Sequence, residues 1–184
     1  MEENINYLNE NKSVLIFKEP DINPEELPVY KSLEISEKII IIEKAKKLNI
    51  TGSYNTIIIP NIPNIWELMV LGDNNIILNY NNNIFIELIG WRNYIKNKNV
   101  AHTKEQSSAI EFRINGNYNN IINEGNKIFT IIIGNNNKYC GVDGDKVKLL
   151  IPSNPFYFKD FADKKDITIG KDYLSHKEYT FFKK

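Results

Sequence analysis

The sequence predicts an α+β domain that is mainly antiparallel β-sheet, with seven to nine strands and one main helix near 36–50. Three observations carry that expectation. Short isoleucine-rich segments alternate with polar ones along most of the chain. Asn- and Gly-rich connections between them are short enough for hairpins. No regular alternation of strand and long helix marks a doubly wound fold.

The elements follow in order. SVLIFKE (13–19) is a strand. PDINPEELPVY (20–30) has three prolines and three acids and reads as an extended surface loop, since each proline removes a backbone donor. SEKIIIIEKAKKLNI (36–50) is the helix: Ser36 caps it, Glu37 sits in its first turn, and Lys44, Lys46 and Lys47 lie near its end. The β-branched run of four isoleucines makes a strand the competing reading. NTIIIP (55–60) is a strand ending at Pro60, and Trp66 is expected in the core. NIILNY (75–80), NNN and IFIELIG (84–90) form a hairpin. SAIEFRING (108–116) alternates, with Ile110, Phe112 and Ile114 on one face. KIFTIIIG (127–134), KYCGV and KVKLLIP (146–152) form a three-stranded meander with Cys140 on its middle strand. DITIG (166–170) and KEYTFFKK (177–184) are late strands. No internal repeat of fixed period stands out.

At 184 residues the chain suits one domain over 1–184, with 1–12 and 20–31 as extended or flexible surface segments. Its 31 Ile and 28 Asn stand against four Ala, and its 21 Lys against two Arg. Ile, Asn and Lys are the residues of A/T-rich codons, so the composition reads as genome bias: an A/T-rich bacterium, its phage, or a protist or insect virus. On that reading the asparagines carry little functional information. Where lysine is the default cation, the two arginines, Arg92 and Arg113, stand out for their fork geometry.

Net charge is zero, so the molecule is no polycation, and nucleic acid finds no support as a partner. The charge is uneven: residues 1–37 hold nine acids and three bases. One cysteine excludes an internal disulfide. The N-terminus lacks the basic and apolar regions of a secretory signal, and no apolar run reaches the length of a membrane span. A cytoplasmic protein with no membrane association is the expectation.

The search for chemistry excludes more than it finds. His102, His176 and Cys140 have no metal-ligand spacing, so no metal or cofactor is expected. The glycines at 134, 141 and 144 precede a strand instead of a helix, which fits neither phosphate-loop pattern. No catalytic residue is assigned, and the balance is against an enzyme. Candidate binding residues are Trp91, Arg92, Tyr94, His102 and Lys104, because 90–106 gathers interface-type side chains and then loses its apolar pattern. Glu25 and Glu26 in the acidic leader join them. The function expected first is a macromolecule-binding, inhibitor-type protein with a protein partner, of the immunity, anti-defence or anti-CRISPR kind. The alternative is a small-ligand or nucleotide-binding β-rich domain acting on phosphate esters, lined by Arg92, His102, Lys104 and Tyr139.

Overall fold

The computed structural model describes residues 12–19, 31–61, 67–99, 109–142, 145–150, 156–160, 165–169 and 177–180. Every described element is a strand. In chain order they are β1 (Ser13–Lys18), β2 (Lys31–Glu34), β3 (Lys38–Lys44), β4 (Lys47–Thr51), β5 (Thr56–Ile59) and β6 (Glu67–Leu71). Then come β7 (Ile76–Asn79), β8 (Asn83–Ile89), β9 (Tyr94–Asn97), β10 (Ala109–Asn115), β11 (Asn120–Asn123) and β12 (Phe129–Ile133). The last are β13 (Lys138–Cys140), β14 (Lys146–Leu150), β15 (Phe156–Asp160), β16 (Lys165–Ile169) and β17 (Lys177–Thr180).

Odd-numbered strands β1 to β13 form a seven-stranded sheet, and even-numbered strands β2 to β14 form a second sheet that β17 extends to eight. Pairing is parallel throughout both sheets, apart from β17, which runs antiparallel on β14. Strands β15 and β16 make a separate antiparallel pair. Successive strands therefore never pair with each other up to β14. The chain winds from one sheet to the other and back, one coil above the last, which is the arrangement of a two-sheet β-solenoid.

This corrects the antiparallel α+β expectation. The segment 36–50 is not a helix but parts of β3 and β4 with a corner at Ala45–Lys46. Its four isoleucines lie on a strand, alternating between the interior and the outside, and Ala45 is small enough to be fully buried at the corner. The hairpin expected over 75–90 is absent, because β7 and β8 lie in different sheets. The meander is absent for the same reason: β12 and β14 are parallel neighbours, and β13 is in the opposite sheet. A tight polar turn looks alike in sequence whether the chain doubles back or crosses to another sheet.

Side chains stack in register from coil to coil. One interior column runs Ile40, Ile57, Ile77, Ile95, Ile121, Tyr139. Facing it from the other sheet are Leu48, Leu68, Ile86, Phe112, Thr130 and Val147. All twelve have at most 1% of their surface exposed. This continuous column is the core, and each coil closes it only by lying on its neighbours.

The repeat that builds it is G-x-x-N, at Gly52–Asn55, Gly72–Asn75, Gly90–Asn93, Gly116–Asn119 and Gly134–Asn137. The asparagines are separated by 20, 18, 26 and 18 residues. Each is buried and binds the coil before it. Asn75 Oδ1 accepts the Asn55 N–H at 2.9 Å, and Asn75 Nδ2 donates to the Gly52 carbonyl at 2.9 Å. Asn93, Asn119 and Asn137 repeat both bonds. The glycines are required because a Cβ on Gly72, Gly90, Gly116 or Gly134 would collide with the carbonyl of the preceding glycine. The expectation that asparagine is mere genome bias, and that there is no repeat, is overturned here.

Candidate interaction ridge

The glycine corner, where the chain passes from the eight-stranded to the seven-stranded sheet, places two partly or fully exposed side chains per coil in columns. The residue after each glycine forms one column: Ser53, Asp73, Trp91, Asn117 and Asn135, with Ser36 at its head. The next residue forms a second column: Glu37, Tyr54, Asn74, Arg92, Tyr118 and Asn136. Every member of the second column has φ between 56° and 62°. That left-handed conformation suits Asn and strains most other side chains by about 1–2 kcal/mol each. The paired strands set a spacing of about 4.8 Å between neighbours in a column.

The first column is a hydrogen-bond ladder. Ser36 Oγ accepts the Ser53 N–H at 3.0 Å, Ser53 Oγ accepts the Asp73 N–H at 3.0 Å, and Asp73 Oδ1 accepts the Trp91 N–H at 2.7 Å. Asn117 Oδ1 accepts the Asn135 N–H at 2.7 Å. Trp91 breaks the series, because an indole is a donor and offers no acceptor to the next coil. It stands where its column neighbours carry an oxygen, and 54% of its surface is exposed. Around it are exposed Arg92 on the same coil, Tyr118 one coil on, and Tyr54 two coils back. Tyr54 and Tyr118 are 51% and 55% exposed. Tyr94, partly buried, opens β9 on the outer face of the seven-stranded sheet, in register between Ile76 and Asn120.

Trp91, Arg92 and Tyr94 are thus near neighbours on one coil. Tyr118 and Tyr54 were not singled out from sequence; the G-x-x-N register is the signal that would have found them. Glu25, Glu26, His102 and Lys104 lie outside the described residues, as do Trp66 and His176.

Tyr139 does not join Arg92 in a common lining. It is interior, 1% exposed, and its hydroxyl donates to Asp145 Oδ2 at 2.7 Å. Asp145 is fully buried and also accepts from the Ile128 and Val142 N–H groups, at 2.9 and 2.8 Å, and from Asn123 Nδ2. It terminates an interior amide chain in which Asn79 Nδ2 donates to Asn97 Oδ1 and Asn97 Nδ2 to Asn123 Oδ1, both at 2.8 Å. Burial, and then the charge of Asp145, push the Tyr139 hydroxyl well above the usual tyrosine value. This cluster closes the last coil. Its donors and acceptors are spent on one another.

Among the described residues no group of three His, Cys, Asp or Glu side chains is placed to hold a metal ion, and no helix is long and apolar enough to cross a membrane. No protein-family model, curated protein or solved structure matches this chain.

Proposed function

We propose that the protein is a macromolecule-binding, inhibitor-type module that docks on a protein partner through the glycine-corner ridge centred on Trp91. The carrying observation is Trp91 itself. A residue with an acceptor oxygen would continue the ladder, yet the chain exposes its largest side chain there. A local rule broken on an otherwise regular scaffold is the mark of a site kept for something other than folding. Tyr118, Tyr54 and Arg92 extend the same argument, since each holds a strained left-handed backbone where Asn74 and Asn136 sit with less strain.

Trp, Tyr and Arg are the side chains that dominate protein interfaces, because they bring large area with a polar tip. Arg92, exposed beside Trp91, is available to a carboxylate on the partner. The backbone N–H groups of Tyr54, Asn74, Arg92 and Tyr118 are already bonded to the following coil, so recognition falls to side chains. An immunity or anti-defence role is the form of inhibition this reading favours.

The test is affinity capture from the source cells with wild-type and Trp91→Asn baits, both verified as folded at the capture temperature. A protein retained by the wild type and lost with Trp91→Asn supports the reading. Equal capture by both baits, or capture of nothing by either, overturns it.

A further inference from the structure

The two ends of the stack are finished differently. At the β13–β14 end the interior is closed: Tyr139 and Val147 are at most 1% exposed, and β17 lies antiparallel along β14. At the other end the inward side chains Leu15, Phe17, Leu33 and Ile35 are only partly buried. One coil further in, Ile40, Ile42 and Ile50 are fully buried. Val14 and Ile16, on the outer face of β1, are 58% and 56% exposed. A solenoid needs such an end covered by a capping element.

β1 is also a poorly shielded edge strand. It reads SVLIFK, with no proline or glycine, one charge at its last residue and one bulge, at Phe17–Lys18. Edge strands are normally blunted by charge, proline, bulges or a covering segment. Val14 stands in register with Ile76 through Ile39 and Thr56, and the Ile76 N–H donates to the Asn55 carbonyl of the coil before it. The Val14 N–H, and by alternation that of Ile16, therefore points away from β3 to the open edge.

We infer that residues 5–8 form a further strand, antiparallel on β1, which covers this end of the stack and keeps it from pairing with other chains. Residues 1–11 lie outside the described residues and lead straight into β1, so the segment is tethered to the edge it covers. Tethering gives it the advantage over a second copy, which has to meet the edge by diffusion. The length suffices. Residues 9–13 make a connection of common hairpin length, and a chain that doubles back so tightly pairs antiparallel. The pattern also fits. Residues 4–7 read NINY, polar and apolar in alternation. With Leu8 opposite Val14, Tyr7 falls opposite Leu15, Asn6 opposite Ile16 and Ile5 opposite Phe17. Residues directly opposite in an antiparallel pair share a face, so Ile5 and Tyr7 turn inward over Phe17 and Leu15. Leu8 then lies beside the exposed Val14. The same register makes Leu8 and Asn6 the hydrogen-bonded partners of Val14 and Ile16, whose N–H groups face the edge. The interior column then begins, as it ends, with a tyrosine. This end of the stack is distinct from the Trp91 ridge, and the inference stands independently of the partner reading.

The test is amide hydrogen exchange of the full chain, resolved by residue with NMR at low and high protein concentration. The Asn6, Leu8, Val14 and Ile16 amides should exchange at least about 100-fold more slowly than in an unstructured chain. Removing residues 1–8 should return Val14 and Ile16 to within about tenfold of the unstructured rate and leave the interior coils, read at Ile76 and Tyr94, unchanged. Tyr7→Asn should speed exchange at Leu8 and Val14 at least about tenfold, and Asn4→Ala should not. If the shortened chain fails to fold, the wild-type rates and Tyr7→Asn decide alone. Asn6 and Leu8 exchanging at the unstructured rate overturn the inference, as does a Tyr7→Asn variant with wild-type rates. Protection of Val14 and Ile16 that survives removal of residues 1–8 overturns it too. So does protection that rises with protein concentration, because a second copy then covers the edge.

Discussion

The two sheets share one interior and differ on the outside. The eight-stranded sheet carries charge on its outer face and pairs it between and within strands. Lys47 meets Glu67 at 2.9 Å on the adjacent coil, Arg113 meets Glu111 at 3.2 Å, and the Arg113 guanidinium lies 5.1 Å from the centre of the Phe85 ring. The seven-stranded sheet sets isoleucine beside isoleucine at the equivalent positions. Packing between coils constrains the inward half of every strand and leaves the outward half free. On the eight-stranded sheet those charges are interleaved with Met69, Phe85, Phe129 and Ile131, so the two outer faces differ in paired charge more than in apolar content.

Lesions in the shared interior should ignore this division, and they should be the largest. Asp145→Ala leaves the Tyr139 hydroxyl, the Asn123 amide and two backbone N–H groups without their acceptor. At about 1–3 kcal/mol for each stranded group, an overall loss of about 4 kcal/mol or more is expected in urea unfolding. Strand signals from both sheets should be lost in one transition.

The same cluster has a pH signature. Tyr139 holds its proton in the folded state beyond the pH at which the unfolded chain releases it, near the ordinary value of 10.0. Its contribution is therefore complete below that pH and drains away as pH rises above it. Urea melts from about pH 9 to about pH 11.5 should fall more steeply for the wild type than for Tyr139→Phe. Parallel curves would mean that the hydroxyl ionises freely.

At the ridge the sign reverses. Trp91→Asn restores an acceptor to the column and should raise stability by about 1 kcal/mol, the worth of one net hydrogen bond. A loss of 1 kcal/mol or more would show that Trp91 is there for packing, and would remove the observation on which the partner reading rests. The smallest effect belongs to the charged outer face. Lys47→Ala breaks a partly exposed pair and should cost about 0.5 kcal/mol, shrinking further in high salt. A cost well above 1 kcal/mol would show that this face is less freely solvated than its charge implies.

Much of the strand content was legible before the fold was known. The strands expected over 13–19, 84–90, 108–116 and 146–152 correspond to β1, β8, β10 and β14. Alternation and β-branched residues are local properties, and they survive into any sheet. Pairing is not local. Asn-Gly-rich connections serve a hairpin and a solenoid corner equally well, because both need left-handed backbone and self-satisfied turns. Ser36 and the lysines after Ala45 imitate helix caps, whereas Ser36 Oγ receives the Ser53 N–H from the next coil. The repeat was hidden by uneven coil lengths and by 28 asparagines, of which the buried ladder uses only a few. Trp91, Arg92 and Tyr94 stood out in the sequence by residue type alone, as side chains common at protein interfaces. Tyr54 and Tyr118 did not, because they are distant in sequence and become neighbours of that coil only through the stack.

What this chain determines residue by residue is where it extends, where it turns and which side chains avoid water, since those depend on local backbone preference and on burial. Which strand lies beside which was decided only when coils stacked. An asparagine then meets the amide of the preceding coil, and a glycine lets two backbones touch. Stacking also decided which outward side chains stand beside one another, such as Lys47 and Glu67, because register alone brings them together.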